Sequence, residues 1–558
     1  MKEAVFDIET PNFDESKGYH TRNVPFICGA IIDDEGEYYY TDVEKFSEHL
    51  ETYDRVWGHN ALKFDSNVMK TSGYPLKHPV VYDTQIAAHM LDENNKVGLN
   101  ECSKRYLGEE KTQSIKKGFV VDPHTEEGKE YVLQDTRLGF KLMKLFKKML
   151  KEQDLWNLFT EVYMPMGPLL EELTENGIYV NQEKLDNLIE KFEERIEGAQ
   201  TKFLETYGVN INSPQQLGSV IYRLPWAIPK TKSGYPKTDV DTIEAVCPHL
   251  LRDAAQEVLD YRKDNKQYKT YVKAAKKASS VDGYIHPPYN MDRTATGRLS
   301  AGGDKTKYWL SYQIQNVDVR VRHIFEAPPG YRFALVDADQ LELRVLAGVT
   351  MDPDLMRVFA ENLDPHAMTA SKLFGVDLAE VTGSQRADGK TTNFAVVYGT
   401  TDHGLAHAMR ISLRLAQERL KAFYEGYPMV SKRKALIEES VVSKGHFRNN
   451  AGRYRRFPNL NTSSAYQVNE AVKKAFSLDI QGYGAELMKK CALYAIPRLR
   501  NKYKCREHTH DEFAFYVPEE TADESLEEIR QIFEATPLGF PVPIKFSGAH
   551  GASWAEVK

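Results

Sequence analysis

The sequence is poor in cysteine. Its 558 residues carry five, Cys28, Cys102, Cys247, Cys491 and Cys505, an odd number at scattered spacing with no CxxC pair. That excludes a disulfide framework and the usual paired-cysteine zinc sites, and reduced thiols in a cytoplasmic protein are the natural reading. No apolar run is long enough to span a membrane, and the opening MKEAVFDIET leads straight into a strand with acidic residues rather than into a signal peptide. Tandem repeats and low-complexity tracts are lacking, which sets aside a solenoid. Strong net charge is lacking too: 73 Lys and Arg against 80 Asp and Glu leave −7. Net charge is a sum over the whole surface, however, and binding to a polyanion depends on local patches.

What is present is an ordinary globular composition, 41% hydrophobic and 27% charged, long enough for roughly three to five compact units. Two basic stretches stand out. Tyr261–Lys277 (YRKDNKQYKTYVKAAKK) interleaves lysines with tyrosines, and Arg448–Arg456 reads RNNAGRYRR. Each is either a nucleic-acid patch or a solvated helix face.

Along the chain, the first hundred residues alternate β-rich runs (Ala4–Ile8, Phe26–Ile32, Glu37–Tyr40, Arg55–Trp57) with helical patterns. A polar stretch from about Gly108 to Gly128 reads as a loop, and a helix is predicted from about Glu130 to Lys151. Tyr163 to Lys277 is mostly helical, with breaks at Asn212-Ser213-Pro214 and Leu224–Tyr235. A strand at Arg332–Val336 then leads into a helical block reaching about Asn459. A helix over Glu470–Leu493 and a hairpin near His508–Val517 follow. The expected fold is a small α/β domain followed by a large helical domain with an embedded sheet.

Carboxylates mark the first part. Asp7 and Glu9 are two apart in a strand, so both leave the same face. HNALKFD contributes Asn60 and Asp65; YVLQD contributes Tyr131 and Asp135, one helical turn apart. Four carboxylates at the ends of different elements suit two divalent cations roughly 4 Å apart, with Tyr131 orienting a water or a phosphate.

A second constellation follows. FALVDADQLELRVLA places Asp337 at the end of an apolar strand. In RADGKTTNFAVVYG, Arg386, Lys390, Phe394 and Tyr398 recur at steps of four, a helical stripe that begins cationic and ends aromatic. Such a stripe fits a nucleoside triphosphate: charges for the phosphates, rings for base and sugar. HTHDEFAFYV sets His510, Asp511 and Glu512 at a hairpin turn. Asp337 and Asp511 brought together would form a second two-cation site for in-line nucleotidyl transfer.

These segments resemble known families. The first three are similar to the Exo I, II and III motifs of the DEDDy 3′–5′ exonucleases, which have an RNase H-like fold; the last three are similar to motifs A, B and C of family A DNA polymerases. The resemblance covers nearly the whole chain. It implies an α+β multidomain protein: an RNase H-like exonuclease domain over 1–155, then a right-hand polymerase domain over 156–558. Within the latter it implies a thumb at about 165–285, a palm at about 286–350 and 450–558, and fingers at about 351–449. NINSPQQLG (Asn210–Gly218) and the Tyr261–Lys277 run match the thumb.

The resemblance also implies roles. Asp7, Glu9, Asp65 and Asp135 would hold metal beside Tyr131, and Asp337 and Asp511 would hold metal beside the auxiliary Glu512. The ions would be Mg²⁺ or Mn²⁺, two per site. Arg386 and Lys390 would grip the triphosphate of a dNTP, Phe394 would lie under its sugar and base, Tyr398 would stack at the template position, and Glu342 would exclude a ribose 2′-hydroxyl. His366, in DPHAMTASKLFG, would sit at the start of the fingers in the nucleotide site. Thr296 and Arg298 (TATGRLS), Gln315 and Asn316 (QIQNV), Arg453, Gln481 (QGYGAELMKK) and His510 would contact primer and template.

Ala338 stands where the bacterial pattern has tyrosine, which points to the phage-replicase branch, and Ser477 stands where that pattern has asparagine. Partners implied are primer–template DNA and dNTPs, with a helicase, primase or single-strand binding protein as further candidates. No membrane partner is expected. Neither a thioredoxin-binding insertion nor a separate 5′ nuclease domain is read. Two alternatives are a single-subunit RNA polymerase, which Glu342 and the exonuclease motifs oppose, and a non-catalytic DNA-binding scaffold, which would need lost carboxylates.

Overall fold

The computed structural model describes residues 1–11, 24–78, 80–111, 122–222, 229–240, 242–243, 252–302 and 312–557. Cys247 lies outside them, as do residues 112–121 of the expected Gly108–Gly128 loop and 224–228 of the expected break at Leu224–Tyr235.

The first part is built on a five-stranded sheet. Its spatial order is Glu37–Tyr40, Cys28–Ile32, Glu3–Glu9, Arg55–Gly58, Val80–Asp83. The first three strands are antiparallel and the last three parallel, so the central strand is Glu3–Glu9. Ala4, Val5, Phe6 and Ile8 are buried between helices on both faces, which pins this strand and leaves its C-terminal carboxylates at the sheet edge. Helix Glu126–Glu152 packs against that strand; it starts four residues before the expected Glu130, where Thr125 caps Gly128 N–H.

The larger part holds a four-stranded antiparallel sheet in the order Lys504–Thr509, Glu512–Pro518, Tyr331–Ala338, Phe546–Gly551. Long helices surround it. The helix over Gly383–Val397 is opened by a reciprocal Thr382–Gln385 capping box. The predicted Glu470–Leu493 helix lies within one unbroken helical stretch from Ala465 to Leu499 that carries a π-type turn at Leu478–Gly482. A correction concerns the helical block expected to reach Asn459: helix Pro428–Lys444 ends at Gly445, and His446–Arg448 then pairs with Tyr454–Arg456 as a hairpin. Gly445 in the left-handed region stops the helix there.

The basic run Tyr261–Lys277 is helical, with a π-type turn at Tyr268–Val272. Tyr261 and Tyr271 point inward, while Lys263, Lys266, Lys269, Lys273 and Lys277 are exposed at three- and four-residue steps. Tyr261 and Tyr271 are therefore core, Tyr268 is half-buried, and the exposed lysines form one cationic stripe. The two parts share a continuous apolar core, in which Trp57 of the first sheet stacks on Phe159 of the connecting segment at 5.7 Å. The four described cysteines are free and buried, and no helix among the described residues is long and apolar enough to cross a membrane.

Candidate active sites

The first site sits at the edge of the five-stranded sheet. Strand alternation sends Asp7 and Glu9 out of the same face, and the helix over Glu126–Glu152 lays Asp135 against them. Oxygens of Asp7, Glu9 and Asp135 lie within 4.8 Å of one another. Burial, then the neighbouring Asp65, Asp135 and Glu9 charges, hold the Asp7 carboxyl well above its usual range. Burial likewise lifts Glu9 to about 7. Asp65 stands one step back: its Oδ1 accepts the Ile8 N–H at 3.1 Å, and burial pushes it up to about 8. A pocket that raises four carboxyls in this way favours a cation. One is in fact supplied by the protein. Lys111 Nζ donates to Asp135 Oδ2 and lies 4.9 Å from the centre of the Tyr131 ring. The other Asp135 oxygen is buried with no hydrogen-bond partner. Hard oxygen donors this close, one of them unsatisfied, fit a divalent ion.

Sequence reasoning missed two residues here. Lys111 gave no signal, being one lysine in a polar stretch. Asp83 is buried and accepts the N–H groups of Asn60, Leu62 and Gln85 at 3.0, 3.2 and 2.8 Å. It thereby fixes the loop before Asp65, in which Asn60 takes φ 68. Its capping position before the helix Thr84–Leu91 was a readable clue.

The second site lies on the four-stranded sheet. The ladder sets Asp337 opposite Glu512 on one side and Ser547 on the other. Ala338 N–H donates to the Asp511 carbonyl at 3.1 Å. Backbone pairing thus fixes the acids together, and oxygens of Asp337, Asp511 and Glu512 come within 4.8 Å of one another. This donor set also fits a divalent ion. Two non-glycine residues in the left-handed region border it, His510 at φ 57 in the hairpin turn and Gln340 at φ 52 before helix Leu341–Thr350. Such backbone costs on the order of 1 kcal/mol each and is tolerated where the surroundings dictate it.

Above the acids opens a cavity of about 740 Å³, lined among others by Asp337, Asp511, Arg298, Glu342, Lys390 and Tyr398. The helix over Gly383–Val397 forms one wall. Phe394 and Tyr398 stack at 6.3 Å, both partly exposed, and Lys390 Nζ lies 5.9 Å from the Phe394 ring centre. His366 also faces this cavity but is mostly buried, with Nδ1 3.1 Å from Asn393 Nδ2, and burial lowers its pKa. Arg386 is held by Asp364, Nε to Oδ2 at 2.5 Å. Arg298 Nη2 donates to Glu342 Oε1 at 2.8 Å.

The remaining expected DNA contacts are placed less uniformly. Gln481, in the π-type turn, lines a small hollow with Arg298, His510 and Asp511. Thr296 is half-buried, Gln315 accepts the Ala301 N–H at 2.8 Å, and Asn316 is exposed. Arg453 is the correction. It is 3% exposed and directed into the protein, donating to the Tyr163 hydroxyl. A side chain so enclosed faces Tyr163 and His89 inside the protein and not a DNA phosphate.

Comparison with known proteins agrees with this architecture. The model of DNA polymerase family A matches residues 182–556, and that of a 3′–5′ exonuclease matches residues 6–151. The chain belongs to DNA polymerase family A and carries a 3′–5′ exonuclease domain. It is 27% identical to DNA polymerase I of Borreliella burgdorferi over 98% of this chain and 60% of that protein. It is 30% identical to DNA polymerase I of Chloroflexus aurantiacus over 90% of this chain and 55% of that protein. The chain therefore spans a little over half the length of these curated relatives. Its fold is shared with the polymerase domain of Pol1 from M. smegmatis, solved in complex with DNA primer–template and dNTP. That likeness has a TM-score of 0.82 and 23% identity, over 99% of this chain and 95% of the other.

Proposed function

We propose that the chain is a DNA-dependent DNA polymerase that extends a primer with dNTPs and trims the 3′ end in a separate proofreading site. The observation that carries this is the cavity floored by Asp337 and Asp511 and walled by Lys390, Phe394 and Tyr398. Lys390, and Arg386 once it leaves Asp364, would neutralise the triphosphate; the two rings would pack on sugar and base. Glu342, held by Arg298, would stand where a ribose 2′-hydroxyl would otherwise fit. Asp337, Asp511 and Glu512 would hold divalent ions, which when bound would acidify the primer 3′-hydroxyl and stabilise the departing pyrophosphate. In the other site Asp7, Glu9, Asp65 and Asp135 would hold such ions, and Tyr131 would orient the attacking water. The protein's share is positioning and charge neutralisation.

The lysine stripe of Tyr261–Lys277 supports a thumb that follows the phosphate backbone, so DNA affinity should fall with salt. On this reading residues 165–285 form the thumb, 286–350 with 450–558 the palm and 351–449 the fingers. A replicative, phage-type role rests on Ala338, which lies in the cavity lining with only a methyl side chain.

The test is primer extension on a mismatched primer with Mg²⁺, with and without dNTPs. Asp337→Ala or Asp511→Ala should abolish extension and leave trimming; Asp7→Ala with Glu9→Ala should do the reverse. Loss of both activities from either change, in protein that still folds, would refute two separate sites.

A further inference from the structure

Behind the second acid site, a group of charged side chains is sealed inside the protein. Glu486 and Lys489, one helical turn apart on helix Tyr483–Leu499, are each 1% exposed. Lys489 Nζ donates to Glu486 Oε1 at 2.9 Å, to the Tyr163 hydroxyl at 3.0 Å and to the Gly297 carbonyl at 2.7 Å. Tyr163 donates in turn to Glu486 Oε1 at 2.6 Å. Arg453 reaches the same hydroxyl and lies 3.3 Å from Nδ1 of His89, on a helix of the exonuclease domain. Burying two cations and one anion carries a desolvation penalty that well-packed apolar residues would avoid, so stability alone does not account for the group.

Its geometry points to a role. Gly297 takes φ 83, and a Cβ there would meet Glu486 Oε1 at 2.9 Å, the Tyr163 hydroxyl at 2.9 Å and Arg453 Cζ at 3.0 Å. On the other side, a Cβ on Gly482 would meet the Thr296 carbonyl at 2.9 Å. The loop is thus clamped between the network and the π-type turn that carries Gln481. The peptide whose carbonyl Lys489 holds is the one that leads to Arg298, and Arg298 fixes Glu342 at the cavity wall.

We propose that Lys489 and Glu486 are positioning residues for the nucleotide site: they set the Gly297–Arg298 peptide, and through Arg298 the carboxylate of Glu342. The inference rests on the polymerase reading above. Neither side chain lines the large cavity, while Lys489 borders the small hollow beside Arg298, Glu342 and Asp511, so the Arg298→Ala background separates an effect carried by that arginine from a direct one.

The experiment uses the full chain and removes one buried charge of each sign together, Glu486→Gln with Lys489→Met, so that the net charge of the group, carried by Arg453, is unchanged. Primer extension is measured with dNTPs and with ribonucleotides, beside Arg298→Ala and the combined triple variant. The paired variant should lower kcat/KM for dNTPs about tenfold and relax discrimination against ribonucleotides, yet add less than about twofold in the Arg298→Ala background. Trimming of single-stranded DNA should be unchanged, and Lys489→Arg should restore most of the loss. If the paired variant folds poorly, Gly297→Ala, which displaces the same loop, should give the same relaxed discrimination. An equal loss with and without Arg298, or unaltered ribonucleotide discrimination, would overturn the proposal. Failure of the polymerase reading would look different, since the unaltered protein would then extend no primer.

Discussion

Glu9→Gln should stabilise the metal-free protein, and increasingly so as pH rises. Burial lifts the Glu9 carboxyl from 4.5 to about 7, with Lys111 pulling it down and Asp135 pushing it up. In the unfolded chain it titrates near its ordinary value. Below about pH 4.5 it is protonated in both states and contributes no pH dependence. As pH climbs from there to about 7, the unfolded chain releases its proton first, so folding is progressively disfavoured; above about 7 that loss is complete. The rise corresponds to about 3 kcal/mol at most, and partial contact with solvent reduces it to ~1–2 kcal/mol. Glutamine has nearly the same shape and cannot ionise. The two proteins should therefore converge below about pH 4.5, and the variant should lead by ~1–2 kcal/mol near pH 8. Urea denaturation in EDTA across that range, followed by the fluorescence of buried Trp57, reads the difference directly. Excess Mn²⁺ near pH 8 should narrow or reverse it, because the ionised acids of the wild type bind the ion and gain stability. A gap that stays constant with pH, or a wild type that is the more stable near pH 8 in EDTA, would refute the reasoning.

Three further outcomes are expected. Glu342→Ala should raise incorporation of ribonucleotides at least about tenfold relative to dNTPs, measured by competitive extension, because the side chain facing the sugar is removed. Phe394→Tyr should raise the use of dideoxynucleotides, since a hydroxyl on this exposed ring can stand in for the missing sugar 3′-hydroxyl; unchanged termination ladders would count against it. Lys111→Met should tighten Mn²⁺ binding to the exonuclease domain, read by paramagnetic resonance, because the ammonium occupies the Asp135 oxygen that an ion would take.

Much of both sites was legible because their chemistry forces certain residues into short segments. Asp7 and Glu9 had to be two apart to share a strand face, and Lys390, Phe394 and Tyr398 had to recur by fours to share a helix face. The hairpin that carries Asp511 and Glu512 was legible for a similar reason, since apolar alternation flanks the turn at His510, whereas the strand Phe546–Gly551 on the other side of Asp337 was not read. What escaped depends on long-range packing. Arg453 reads as a surface base in RNNAGRYRR, and only its partners, Tyr163 and Glu486 in distant segments, turn it inward. The Arg448–Arg456 hairpin was hidden by strong helical signals before it, and Lys111 has no local pattern at all.

The pairing of Arg386 with Asp364 has one more consequence. The guanidinium does not wait in solvent for its ligand; it is parked against a carboxylate, with both partners substantially exposed. An ion pair that open to water is weak, worth roughly 0–1 kcal/mol, so it opens readily for an anion with several negative oxygens. A ligand bearing a single dispersed charge offers the arginine nothing better than what it already has. On the polymerase reading, competition at this one residue would favour incoming molecules of high charge density over singly charged ones.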